Sequence, residues 1–188
     1  MAFKAIPTKY KGIQFRSRLE AKWAAFFDLM NWKWQYEPCD FNGWIPDFAI
    51  YGHKKTIYVE VKPTIVFLPD IANEIDWSGC NSEVLLIGET CPIPGCHTMC
   101  GDNTQVGWLR TEYLGYADDE QASRWNWSIC EFACYDGSRI GFTESMGCWH
   151  CRIYGTHGKY YHFNEVIENT VSAHWASACN SSQWRRPQ

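Results

Sequence analysis

No run of about 18 apolar residues occurs anywhere in the chain, so no segment has the length of a bilayer-crossing helix, and no membrane partner is expected. The opening residues MAFKAIPTKY hold no apolar stretch of the kind a secretory signal needs, which points to a cytoplasmic protein. Internal repeats and low-complexity tracts are missing as well. Basic charge is nearly absent from one long stretch: residues 63–123 carry Arg110 alone against ten acidic groups. Phosphate contacts are therefore expected elsewhere.

With 188 residues the chain can bury one sizeable core and a small satellite module, but two full domains would be a tight fit. Hydrophobic residues make up 46% and charged residues 20%, a globular balance that leaves little for a disordered tail. The formal net charge of −4 argues mildly against a nucleic-acid partner until its distribution is considered. Residues 1–33 concentrate seven basic groups, Lys4, Lys9, Lys11, Arg16, Arg18, Lys22 and Lys33, against Glu20 and Asp28. Lys9, Lys11, Arg16 and Arg18 are the leading candidates for nucleic-acid contact, with Arg185 and Arg186 a second basic pair at the far end.

Ser17 followed three residues later by Glu20 has the form of a capping box, and Leu19, Trp23, Phe26, Phe27 and Met30 then recur at helical spacing. This predicts an amphipathic helix over 17–31. The aromatic alternation of WKWQYEP predicts a strand stopped by Pro38. IPDFAI (45–50) and TIYVEVK (56–62) predict two more strands around a turn at residues 52–55. A short helix over 70–77, a buried strand at EVLLIG (83–88) and a closing helix over 163–179 complete the expected elements, with an ordered loop or insertion from Cys91 to about Gly107.

A turn centred on 52–55 sets Tyr51 against Thr56 and hence Asp47 against Glu60. Like charges opposed on an antiparallel pair repel unless a cation lies between them. Alternation along the strand puts Tyr58, Glu60 and Lys62 on one face and Val59 and Val61 on the other. Two carboxylates can hold a hard divalent cation such as Mg²⁺ or Mn²⁺, leaving positions for water and phosphate, and a nearby lysine can orient the attacking water or stabilise the charge that develops at phosphorus. A surface hairpin with solvated charges would carry the same residues.

Together GIQFRSRLEAKWAAFFDLM, IPDF and VEVKP resemble the core of the PD-(D/E)XK nuclease superfamily, and within it small phage-type members with an Arg-Ser-x-x-Glu-Ala helix. The resemblance covers roughly residues 10–90. It implies a metal-dependent DNA endonuclease in which Asp47 and Glu60 bind Mg²⁺ or Mn²⁺, Lys62 is the catalytic lysine, and Glu20 is a further ligand or positions water. The fold class it implies is α/β (α+β), a restriction-endonuclease-like mixed sheet core flanked by helices. The core would span 1–124, with a Cys-rich insertion at about 89–107, and a zinc-ribbon-like module with the closing helix would span 125–188. Glu20 also suits plain helix capping, and Arg16 and Arg18 suit either phosphate contact or solvation.

Ten cysteines in a chain without an export signal are read as reduced thiols, some of them metal ligands and others small buried apolar residues. Cys130-x3-Cys134 and Cys148-x2-Cys151 have the look of two zinc-ribbon knuckles holding a structural Zn²⁺, with His150, His157 or His162 able to replace a thiolate. A second site from Cys80, Cys91, Cys96, His97 and Cys100 has irregular spacing. Of eleven tryptophans, Trp23 and Trp175 fit apolar helix faces, while Trp149 and Trp184 are placed for partner contact. Two functions fit these residues: a DNA nuclease, which would need two active sites to cut both strands and so invites a homodimer, or a catalytically silent binding protein of the same fold acting on nucleic acid or on a host defence protein.

Overall fold

The computed structural model describes residues 5–93, 97–98, 101–102, 105–112, 125–134, 139–144, 150–155 and 165–183. The chain opens with a hairpin that the sequence reading missed, β1 (Thr8–Tyr10) and β2 (Ile13–Phe15), paired antiparallel. Its two-residue turn, Lys11 and Gly12, lies at positive φ on both residues, the geometry that short hairpins favour. Helix α1 (Arg18–Leu29) follows, capped by the Ser17 hydroxyl, which accepts from the Glu20 N–H. Strands β3 (Trp34–Tyr36), β4 (Phe48–Tyr51) and β5 (Thr56–Val61) come next, then α2 (Pro69–Trp77) and β6 (Val84–Ile87). Every element expected between residues 17 and 88 is present, and Tyr51 pairs with Thr56 as the turn at 52–55 requires.

Beyond β6 the described elements are β7 (His97–Thr98), β8 (Gly101–Asp102), β9 (Gln105–Glu112), β10 (Trp125–Cys134), β11 (Ile140–Glu144) and α3 (Glu165–Ser181). Seven strands form one mixed sheet in the order β11-β10-β9-β6-β5-β4-β3. Only β5 and β6 run parallel, and α2 makes the crossover between them. In the second half β10 and β11 continue the main sheet, because β10 hydrogen-bonds along β9. The proposed boundary after residue 124 therefore falls between two paired strands. Strand β9 also replaces the end of the loop expected to run to Gly107.

The sheet has a thick face and a thin one. Val59 and Val61 of β5, Phe48 and Ile50 of β4, and Phe132 and Phe142 of the added strands meet α1 and α3 in the main core. Trp23 on α1 and Trp175 on α3 lie 4.7 Å apart between ring centroids, so the closing helix is docked by the aromatic faces its spacing advertised. The other face carries Tyr58 of β5 and Val84 of β6 under α2, with Trp44 and Ile75 in a smaller cluster. Among the described residues, no helix is long and apolar enough to cross a membrane.

Candidate active site

Strand β4 begins one residue after Asp47, so the ladder with β5 ends at the Phe48–Val59 pair and leaves the Val61 N–H beyond it. Asp47 Oδ2 accepts that N–H at 2.8 Å. The carboxylate thus satisfies a buried backbone donor that the strand itself does not. Glu60, expected directly opposite Asp47, lies on the neighbouring strand without a ladder pair to it. It stands on the α2 face beside Tyr58, as alternation demands. Its Oε2 accepts from Trp44 Nε1 at 3.0 Å and its Oε1 from Lys62 Nζ at 2.5 Å.

Arg16 joins the site from the residue just before the helix cap. Its Nη2 donates to Asp47 Oδ1 at 2.7 Å, and its Nε pairs with Glu37 at 2.9 Å. Glu20 does not close the expected capping box on the Ser17 N–H. Its Oε2 accepts instead from the Tyr36 hydroxyl at 2.7 Å and the Arg16 N–H at 3.2 Å, which turns the carboxylate toward β3. Tyr36, Glu37 and Trp44 were not singled out from the sequence. The alternation of WKWQYEP placed Tyr36 on a strand, but the tertiary contact that makes it a partner of Glu20 has no local signal.

Asp47 and Glu60 are each only 5% exposed. Burial, together with the charge of Glu60 and more weakly of Glu20, pushes the Asp47 carboxyl up to about 7, against the Val61 N–H and Lys62, which hold it down. Burial lowers the affinity of Lys62 for its proton, but Glu60, Asp47 and Glu74 outweigh it and raise the pKa above the ordinary lysine value. Lys62 is therefore a cation at neutral pH, able to donate hydrogen bonds and not to act as a base. Burial and the bond to Glu20 push the Tyr36 phenol up to about 12, which keeps it a neutral donor.

A hard divalent cation suits this donor set, since two buried oxygen ligands repel each other and one of them is already pushed toward protonation. Among the described residues, no group of three or more His, Cys, Asp or Glu side chains is arranged to hold a metal, so the site offers two carboxylates and Glu20 stands beside them. Of the expected zinc ligands, the backbone of the first pair is described. Cys130 and Cys134 lie on one strand, β10. Four residues of extended chain span about 13 Å, whereas thiolates on one zinc each sit about 2.3 Å from it. A knuckle needs a turn that β10 does not make. The side chain of Cys134 and the whole of Cys148, His157 and His162 lie outside the described residues, while Cys151 is buried beside Gly141.

For the second zinc set, Cys80 sits in the α2 cluster and Cys91 in the main core, on opposite faces of the sheet. Cys96 and Cys100 lie outside the described residues, as do Trp149, Trp184, Arg185 and Arg186. Of the four candidate phosphate contacts, only Arg16 reaches the carboxylates; Lys11 pairs with Asp28 at 2.8 Å, Lys9 is exposed on β1, and Arg18 leaves α1 on another side. No family model, curated protein or solved structure matches the chain.

Proposed function

We propose that the protein is a divalent-metal-dependent nuclease of the PD-(D/E)XK kind, hydrolysing phosphodiester bonds in DNA. The observation that carries this reading is the buried pair Asp47 and Glu60 at the end of the β4–β5 hairpin, with the protonated Lys62 two residues along the same strand face. Asp47 and Glu60 would hold Mg²⁺ or Mn²⁺, which when bound supplies charge stabilisation and a more acidic water. Lys62 would donate to the phosphoryl oxygens as negative charge builds, a role its raised pKa suits. Glu20 and Tyr36 would fix the entry of α1 and position water rather than ligate.

Arg16 has a double role. In the free protein it neutralises Asp47; on metal binding the cation takes over that task, and the half-exposed guanidinium becomes available to a substrate phosphate. The same contact supports a second reading, because Arg16 on Asp47 and Lys62 on Glu60 already balance both carboxylates without a metal. A catalytically silent binding protein, acting on nucleic acid or on a host defence protein, would have that closed arrangement.

Incubation of the purified chain with duplex, single-stranded and branched DNA and with RNA, in Mg²⁺, Mn²⁺ or EDTA, separates the two. Cleavage that EDTA abolishes is expected. A chain that neither binds Mn²⁺ nor cuts any of these substrates is the silent protein.

A further inference from the structure

Arg18 carries an anomaly. Its Nε has essentially no accessible surface and no hydrogen-bond partner. A buried guanidinium N–H left without an acceptor is costly, and this one gains an acceptor only when the side chain shifts to bring a ligand within its reach.

The Arg18 side chain also lines a cavity of about 260 Å³, formed where β1, the start of α1 and the end of α3 meet. Thr8, Lys9, Arg18, Ser181, Ser182 and Gln183 supply its polar lining, and none of the described lining residues is acidic. Two cations thus share one small cavity with no counter-charge among its described lining residues. Ser181 and Ser182 donate to the Ala178 and Cys179 carbonyls, at 2.8 and 3.1 Å, which quiets the negative end of α3 facing this space. Arg18 is also the first residue of a 12-residue helix, whose N-terminal end adds partial positive charge.

This cavity is not part of the carboxylate site. Successive helical residues are about 100° apart, so Arg18 and Glu20 leave α1 on sides roughly 200° apart. Glu20 faces Tyr36 and Arg16, whereas Arg18 faces β1 and α3.

We propose that Lys9 and Arg18 form a phosphate-binding pocket, separate from Asp47 and Glu60. The assignment of its ligand to a phosphate of the bound nucleic-acid strand rests on the nuclease reading; the anion site itself does not. A guanidinium fork and a lysine match a tetrahedral oxyanion, and a phosphate held here would anchor the strand across the N-terminus of α1 while the scissile group lies at Lys62. Either a terminal 5′-phosphate or an internal phosphodiester supplies that chemistry.

The test uses the full chain without divalent metal. Titration with inorganic phosphate, followed by calorimetry, should show one saturable site in the wild type and in Asp47→Asn. Binding should weaken at least tenfold in Arg18→Gln and in Lys9→Ala. The exposed Lys9→Ala keeps the test usable should Arg18→Gln not fold. Oligonucleotides with and without a 5′-phosphate, compared by anisotropy in EDTA, identify the source. A preference for the 5′-phosphate that Arg18→Gln abolishes assigns the terminal group, and equal weakening of both assigns an internal phosphodiester. Phosphate that fails to bind the wild type, or binds both variants as well as the wild type, overturns the pocket. Phosphate binding in a chain that cuts nothing removes the nuclease reading and leaves the pocket standing.

Discussion

Among the described residues, two clusters set buried carboxylates beside paired cations. Glu83, just before β6, accepts from Arg152 Nε at 2.9 Å and from Lys55 at 3.1 Å, and Arg152 further donates to the His150 carbonyl and lies beside Glu144. At the far end of β5, Asp47 and Glu60 lie together with Arg16 and Lys62. In the first cluster the main partners bury each other, with the Glu83 and Arg152 side chains 5% and 7% exposed. In the second the carboxylates are as deeply buried, but the Arg16 and Lys62 side chains are 57% and 32% exposed. One cluster is closed by the fold. The other is neutralised by cations that can swing away, so its charge is available for exchange with a ligand. Burial alone does not mark a functional carboxylate; the replaceability of its partner does.

The comparison is tested most severely at Asp47. Asp47→Asn keeps the shape and removes one charge of a repelling pair. Cleavage and calorimetric Mn²⁺ binding should collapse, with cleavage falling by more than about 10³ if the two carboxylates share the metal. The urea midpoint should stay level or rise. A variant that cuts normally would make this cluster as structural as the other.

Arg152→Met is the matching test on the closed cluster. It strands Glu83 in the interior, and removing one partner of a buried pair typically costs about 3–5 kcal/mol. Urea unfolding should show a loss of that size, with any cleavage by the surviving folded fraction unchanged per molecule. A loss below about 1 kcal/mol would show that Lys55 alone suffices and that the cluster is not closed.

Lys62→Ala separates ligand from helper. It leaves both carboxylates in place, so Mn²⁺ should still bind while single-turnover cleavage falls by about 10²–10³, the range for losing one preorganised electrostatic group. Loss of metal binding instead would mean that Lys62 holds Glu60 in position and does not act on the substrate.

Between residues 17 and 88 the strand and helix order, the 51–56 register and the faces of β5 were all legible, because periodicity and turn chemistry are local. Farther along, residues 125–162 read as short β-like pieces, but β9 and the joining of β10 and β11 to the main sheet were not legible. In β9, Gln105, Arg110 and Thr111 are buried polar residues, and Arg110 is tolerated there only because Asp76 and the Cys80 and Ser82 carbonyls receive its donors. Such partners lie about 30 residues away and leave no mark on the strand itself. The spacing of Cys130 and Cys134 has a related ambiguity: the two look like a knuckle only if the chain turns between them, and pairing with β9 and β11 keeps it extended. At the candidate site the residue types were legible, while the partners that orient them, Trp44, Tyr36 and Glu37, depended on contacts across the fold.

The smallest expected effect is also the most diagnostic of the open cluster. An ordinary buried aspartate in an ion pair has a lowered pKa and stabilises the fold as pH rises. Asp47 runs the other way. Its folded pKa, about 7, lies above the unfolded value near 4, so the native state binds its proton more tightly than the unfolded chain does. Its contribution is fully present below about pH 4 and is lost as pH rises toward 7, beyond which the curve flattens. A loss of about 1–2 kcal/mol between pH 5 and 7 is expected. Urea midpoints across that range, in metal-free buffer, should fall for the wild type and stay nearly level for Asp47→Asn. Added Mn²⁺ should reverse the trend, since a cation competes with the proton and binds better as pH rises through 7. A wild-type stability that instead rises from pH 5 to 7 would mean that Arg16 holds Asp47 ionised, and the distinction between the two clusters would disappear.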